Sequence, residues 1–187
     1  MSVEAQGAFA FCKAARPPKV ERLVFALMLS EADALALARF AERLLLEREL
    51  SALPIKAARL HIALFRLIRC NGPVLYAAKL AGQDVAAAGL KLSFAAIGSN
   101  KQSLALQSGD AALGAVQEKL GVALAKHGLR ATKLPLQLPL ATGLPRQPVE
   151  PIEPFTLTVT GLALLRAESD LAYDVLRRWP LNKLRPA

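Results

Sequence analysis

His61 is the residue whose type and setting point most directly to proton transfer, because it stands mid-strand in Arg59-Leu60-His61-Ile62-Ala63-Leu64-Phe65. Imidazole titrates near neutral pH, so it takes or gives a proton under ordinary conditions. A turnover that takes one proton and gives another needs a second such group. The plausible mirror-image segment, Leu134-Pro135-Leu136-Gln137-Leu138-Pro139-Leu140, offers no second imidazole. His127, the other histidine, falls in the last turn of an expected helix, where imidazolium complements the helix dipole and bonds a free carbonyl. It reads as a cap and not as the missing partner.

Arg66, Arg69, Lys101 and Arg146 flank these segments and form either a phosphate-attracting, substrate-binding rim or an ordinary solvated surface. Cys12 and Cys70 are far apart and have no ligand-like neighbours, which fits buried thiols in a reducing compartment. With two histidines and no Cys-x-x-Cys or His-x-x-x-His spacing, neither a metal nor a cofactor is expected. Gly98-Ser99-Asn100-Lys101 is too short and glycine-poor for a nucleotide phosphate loop.

The elements that must position these residues follow from periodicity and caps. Val20 to Met28 reads as a strand, and Ser30 with Asp33 opens a helix to about Glu49 that turns Leu37, Phe40, Ala41 and Leu44 to one face. A strand over 59–68 puts His61, Ala63, Phe65 and Leu67 on one side. A helix over Val74 to Ala88, strands over 90–97 and 103–107 joined by a turn at 98–101, and a helix from Asp110 to Gly128 come next. Strands over 134–141, 155–166 and 171–177 complete the order, with Thr156, Thr158 and Thr160 as a polar outer face. Each long helix feeds a strand, so one α+β unit is used twice, with a cleft between the two halves.

The chain has 187 residues and 24 Lys and Arg against 15 Asp and Glu, a net charge of +9. That balance favours a polyanionic partner. No uninterrupted apolar stretch approaches the roughly 18 to 20 residues that span a bilayer, so no membrane partner is expected. Met1 to Arg16 is a poor signal peptide, and a cytoplasmic protein is expected. The tail is placed at 1–18, ending in Arg16-Pro17-Pro18, and one bilobal domain at 19–187.

Several short segments in order carry a family resemblance. They are Arg22-Leu23-Val24-Phe25-Ala26-Leu27, Arg59-Leu60-His61-Ile62-Ala63-Leu64, Ile97-Gly98-Ser99, His127-Gly128-Leu129-Arg130, Gln147-Pro148-Val149-Glu150-Pro151-Ile152, Tyr173-Asp174-Val175-Leu176 and Arg178-Trp179-Pro180-Leu181. From Val20 to Leu181 the chain resembles the bacterial 2′-5′ RNA ligase-like branch of the 2H phosphoesterase superfamily, which includes RNA 2′,3′-cyclic phosphodiesterases. The resemblance implies an α+β fold of two pseudo-symmetric antiparallel lobes, with long helices outside and a central cleft. It also implies two His-x-Thr (or Ser) motifs facing each other, one histidine as general base and one as general acid. Aligned on the family, His61 is retained, while Ala63, Leu136 and Leu138 fill the other three motif positions.

Three functions remain open on this reading. The first is an impaired or inactive phosphodiesterase-like protein that still binds an RNA end or a nucleotide with a cyclic or terminal phosphate. The second is a working phosphoesterase using His61 with a substitute acid such as Tyr76 or an arginine. The third is an apolar-ligand or protein-binding module, its cleft lined by Ala63, Leu136, Leu138 and Leu140.

Overall fold

The computed structural model describes residues 22–68, 70–85, 89–100, 103–144, 147–169 and 172–181. The expected tail, with Cys12, lies outside them, as do Arg69, Lys101 and Arg146. In chain order the elements are β1 (Arg22–Leu29), α1 (Glu31–Glu47), β2 (Leu53–Pro54), a 3-10 turn (Ala57–Arg59), β3 (His61–Leu67), α2 (Gly72–Asp84), β4 (Leu90–Asn100) and β5 (Ser103–Gln107). Then come α3 (Ala111–Lys126), β6 (Thr132–Lys133), β7 (Gln137–Thr142), β8 (Glu150–Ser169) and β9 (Ala172–Pro180). The strands join one antiparallel sheet in the order β2-β7-β5-β4-β8-β1-β3-β6, with β9 paired to β8. Among the described residues no helix is long and apolar enough to cross a membrane.

The helices start where their capping side chains dictate. Ser30 accepts from the Asp33 N–H at 3.1 Å, Asn71 from Val74 at 3.0 Å, and Asp110 from Ala112 at 2.9 Å, each satisfying a first-turn donor. α3 ends at Gly128, whose φ of +69° suits a residue without a Cβ. α2 stops at Asp84, short of the expected Ala88, because Val85 leaves helical geometry. β4 runs on through Gly98 to Asn100, where a turn was expected, and pairs Asn100 with Ser103. β8 is longer than the expected 155–166 strand because its first part pairs β4 and its second part pairs β1 and β9. Thr156, Thr158 and Thr160 are exposed, as the alternation implies.

One face of the sheet meets the helices. Leu23, Phe25 and Leu27 of β1, Ile62 and Leu64 of β3, and Leu138 and Leu140 of β7 are fully buried there with Leu37, Leu113 and Leu120. The other face of β1 and β8 carries a separate small cluster of Ala26, Ala163 and Leu165, flanked by Val24, Met28 and Tyr173.

The two halves repeat in detail. In each, a strand, a long helix and a two-residue strand lead into the second long strand of an antiparallel pair, β1 with β3 and β5 with β7. Each pair is interrupted by one register shift, between Phe25 and Ala26 and between Leu104 and Ala105. The short strands are exchanged: β2, ahead of β3, pairs the edge of β7, and β6, ahead of β7, pairs the edge of β3. Accordingly Ile55 N–H donates to Leu140 O at 2.8 Å, and Leu134 N–H donates to Leu64 O at 3.0 Å. Gln117, a buried polar residue of α3, closes this crossing by donating to Leu64 O at 3.0 Å and Leu134 O at 2.8 Å.

Candidate functional site

The shared register identifies which residues of the two halves correspond. On β3, Phe65 faces Phe25 before the shift, Ala63 faces Ala26 after it, and His61 faces Met28. On β7, Ala141 faces Leu104, Pro139 faces Ala105, and Gln137 faces Gln107. The reciprocal bonds at Leu64 and Leu140 fix the same frame. Gln137 is therefore the counterpart of His61, and Pro139 that of Ala63. This corrects the expectation that Leu136 and Leu138 hold those places. A one-residue slip sends every side chain to the opposite face, and Leu138 is fully buried on the helix side. The alternation on β3 also breaks at the shift, so Phe65 and Leu67 belong to the core, whereas Arg66, opposite Val24, shares the face of Ala63 and His61.

His61 is half-buried, and its Nδ1 lies 2.8 Å from Arg59 O. A carbonyl only accepts, so Nδ1 carries the proton and Nε2 keeps its lone pair when the ring is neutral. Burial pushes the imidazole below its usual value, against the smaller opposing effect of the Arg59 bond. His61 is thus poised as a base or acceptor, not as an acid.

Tyr173 of β9 meets the His61 ring edge to face, with centroids 5.0 Å apart and planes at 83°. β9 is three strand steps from β3, roughly 14 Å on a flat sheet. The contact requires a concave surface, and Ala26 and Ala163 between them are small enough to let both rings lean inward. The Tyr173 hydroxyl donates to Ala58 O at 2.7 Å. Burial raises its pKa, while the Arg59 and Arg178 guanidiniums act in the opposite direction.

No protein-family model matches the chain, and no curated protein matches it by sequence. Solved structures do match. TT0787 of Thermus thermophilus aligns with a TM-score of 0.69 and 18% identity, covering 88% of this chain and all (100%) of its own. E. coli LigT in apo form gives 0.67 and 20% over 87% and 98% of the two chains. LigT complexed with 3′-AMP gives 0.66 and 19% over 87% and 99%. This chain has the fold of these LigT-like structures.

Within that LigT-like fold, the structure brings His61, Ala63 and Arg66 to one face of β3. Nε of Arg66 is buried without a hydrogen-bond partner. Tyr76 is exposed on α2, which packs Ala78 and Ala81 into the helix-side core, so it stands on the wrong side of the sheet to serve His61. The phenol beside His61 is that of Tyr173. His127 caps α3 as expected, but its Nε2 contacts Asp84 at 3.0 Å rather than a free carbonyl, and Lys126 joins the same carboxylate at 2.7 Å. These two neighbours hold Asp84 below the usual carboxylate range.

Gln137, Tyr173, Arg59 and Arg178 escaped the sequence reading. The signal for Gln137 was present, as the polar residue of an otherwise aliphatic strand. Nothing local marks Tyr173 as a neighbour of His61.

Proposed function

We propose that this is a 2′-5′ RNA ligase / RNA 2′,3′-cyclic phosphodiesterase-like protein that binds nucleotides or RNA ends and has little or no phosphodiesterase activity. The observation that carries the reading is Gln137 at the place related to His61. An imidazole pair can take a proton from an attacking hydroxyl and return one to the leaving oxygen. An amide hydrogen-bonds but does not titrate near neutral pH, so His61 has no partner of matching chemistry there. Losing one acid or base costs roughly 10² to 10⁴ in rate. Ala63 and Pro139 bring no hydroxyl to a developing phosphoryl charge, and each such donor contributes about 10² or more.

Binding is the property retained. Solved LigT structures hold ATP, 3′-AMP, NADP+ and phosphate, and the net charge of +9 draws polyanions to this chain. Arg66, with its unpartnered Nε, is the described member of the expected basic rim, whose other members, Arg69, Lys101 and Arg146, lie outside the described residues. The protein acts in the cytoplasm, without a cofactor or metal. Incubation with 2′,3′-cyclic AMP, with E. coli LigT run alongside, tests the reading. It expects binding without product, and turnover abolished by His61→Ala overturns it.

The contact between Tyr173 and His61 favours one other reading, a working phosphoesterase in which the Tyr173 phenol replaces the missing acid. On that reading the protein hydrolyses the cyclic nucleotide and Tyr173→Phe stops it.

A further inference from the structure

We infer that a bound nucleotide's terminal phosphate is held by Arg59 and Arg178 at the rim of the concave face, while its uncharged nucleoside faces His61 and Gln137. The inference rests on the nucleotide-binding reading and adds the orientation of the ligand.

The first argument is a hydrogen-bond inventory. A phosphate needs donors, and apart from Arg66, whose unpartnered Nε lies five residues further along β3, those between His61 and Gln137 are scarce. His61 Nδ1–H is committed to Arg59 O, which leaves Nε2 as an acceptor while the ring is neutral. Ala63 has no polar side-chain atom, and Pro139 has neither a hydroxyl nor an N–H. Gln137 and its cross-strand neighbour Gln107 each offer one amide, donor and acceptor together. Ala26, Ala105 and Ala163 lie beneath this face, each at most 1% exposed, and add no polar side-chain atom to it. Acceptors and amides on an apolar floor suit a nucleobase edge, to which Gln can bond in a bidentate manner, as it does to adenine.

The second argument is where unneutralised positive charge gathers. Arg178 lies opposite Ala163 on β9, and so on the same face as Tyr173. Arg59 ends the 3-10 turn that immediately precedes His61. Arg59 directly follows Ala58, whose carbonyl takes the Tyr173 hydroxyl, and Arg178 stands on the Tyr173 face of β9, so two elements far apart in sequence set like charges around Tyr173. Arg43, Arg48 and Arg166 each have a carboxylate partner, whereas among the described residues Arg59 and Arg178, like Arg66, have none. Two convergent, exposed cations repel each other unless an anion bridges them, and guanidinium forks match phosphate oxygens.

The third argument is preorganisation. The turn carrying Arg59 is tied down twice, by Tyr173 Oη–H to Ala58 O at 2.7 Å and by His61 Nδ1–H to Arg59 O at 2.8 Å. Holding the backbone in place lowers the entropy lost when the side chain engages a ligand.

Calorimetric titration with 3′-AMP, adenosine and inorganic phosphate tests this on the full chain and on Arg59→Gln, Arg178→Gln and Gln137→Leu. Each arginine variant should weaken 3′-AMP roughly tenfold, the scale of one charged hydrogen bond, and leave adenosine unchanged. Gln137→Leu should weaken adenosine and 3′-AMP alike. Arginine variants that bind 3′-AMP like the parent overturn the inference and leave the binding function standing, as does inorganic phosphate that perturbs the His61 resonances but not the affinity of the arginine variants. A parent protein that binds neither 3′-AMP nor adenosine removes the nucleotide-binding reading itself. Unchanged thermal midpoints in the exposed arginine variants exclude misfolding as the cause of any loss.

Discussion

Gln137 occupies in the second half of the sheet the place that His61 occupies in the first, each directly opposite the last cleft-facing residue of its neighbouring strand, Gln107 and Met28. The pair is thus half imidazole and half amide. Gln137→His should create a second titratable group facing the first. Hydrolysis of 2′,3′-cyclic AMP should rise by about 10²-fold or more over the parent, with a further gain when Ala63→Thr and Pro139→Thr add donors. Gln137→Asn is the control and should leave the rate at the parental level. A quantitative product assay by chromatography decides it.

Gln117 tests the exchange of short strands between the halves. Its side-chain amide donates to Leu64 O and Leu134 O inside the core. Gln117→Leu leaves Leu134 O without that donor while Leu64 O keeps the Leu134 N–H. Leaving a buried acceptor unpaired costs about 1–3 kcal/mol. Urea denaturation should show a loss of that size with an unchanged m-value, because the surface exposed on unfolding is the same.

Much of the fold is legible because it is written locally. Ser30 and Asp110 mark helix starts through their own side-chain caps and Gly128 marks a helix end through its positive φ, whereas the alternation in β3 misleads beyond its register shift. β2 and β6 are not legible. They are two residues long and exist only because each pairs with the other half. The counterpart of His61 was hidden for the same reason. Leu134 and Leu136 ahead of β7 and Leu138 and Leu140 within it alternate evenly, so Gln137 stands out as polar but nothing inside the strand sets its register against β3. The frame comes from the shift opposite Leu104 and Ala105, a property of the paired strands. Tyr173 is similarly remote, brought to His61 by sheet curvature alone.

His61 gives the fold a pH dependence whose sign follows from its lowered pKa. The folded state favours the neutral ring, so the unfolded chain binds the proton more readily. The stability from this preference is fully present above the unfolded value near 6.5 and is lost as pH falls toward the folded value. Urea midpoints measured between pH 7.5 and pH 5 should therefore fall further for the parent than for His61→Gln. Equal slopes would show that burial does not discriminate between the two ring forms.

Gly82 is set by Trp179. A Cβ there would lie 2.5 Å from Trp179 Cζ2, and this indole also stacks on Phe25 with centroids 6.2 Å apart. Gly82→Ala should force the ring to shift and cost about 1–3 kcal/mol, the usual penalty of overpacking. Trp179 is the sole tryptophan, so its emission reports the shift directly. Gly114→Ala, inside α3 where the added Cβ meets nothing within 4 Å, should leave the emission near the parental value and raise stability by about 0.5–1 kcal/mol, the usual gain on replacing a helix-interior glycine.

Tyr173 controls the state of His61 by covering it. The phenol ring lies against the imidazole and, through Ala58 O, also holds the turn whose Arg59 carbonyl receives Nδ1–H. Tyr173→Phe keeps the ring and loses only the hydroxyl bond, so His61 should titrate much as in the parent. Tyr173→Ala admits water to the imidazole and removes the main cause of its lowered pKa, desolvation. The His61 titration midpoint, followed by proton NMR on its Cε1–H, should then move up toward the ordinary histidine value. An unmoved His61 midpoint in Tyr173→Ala would mean that some other group shields the ring.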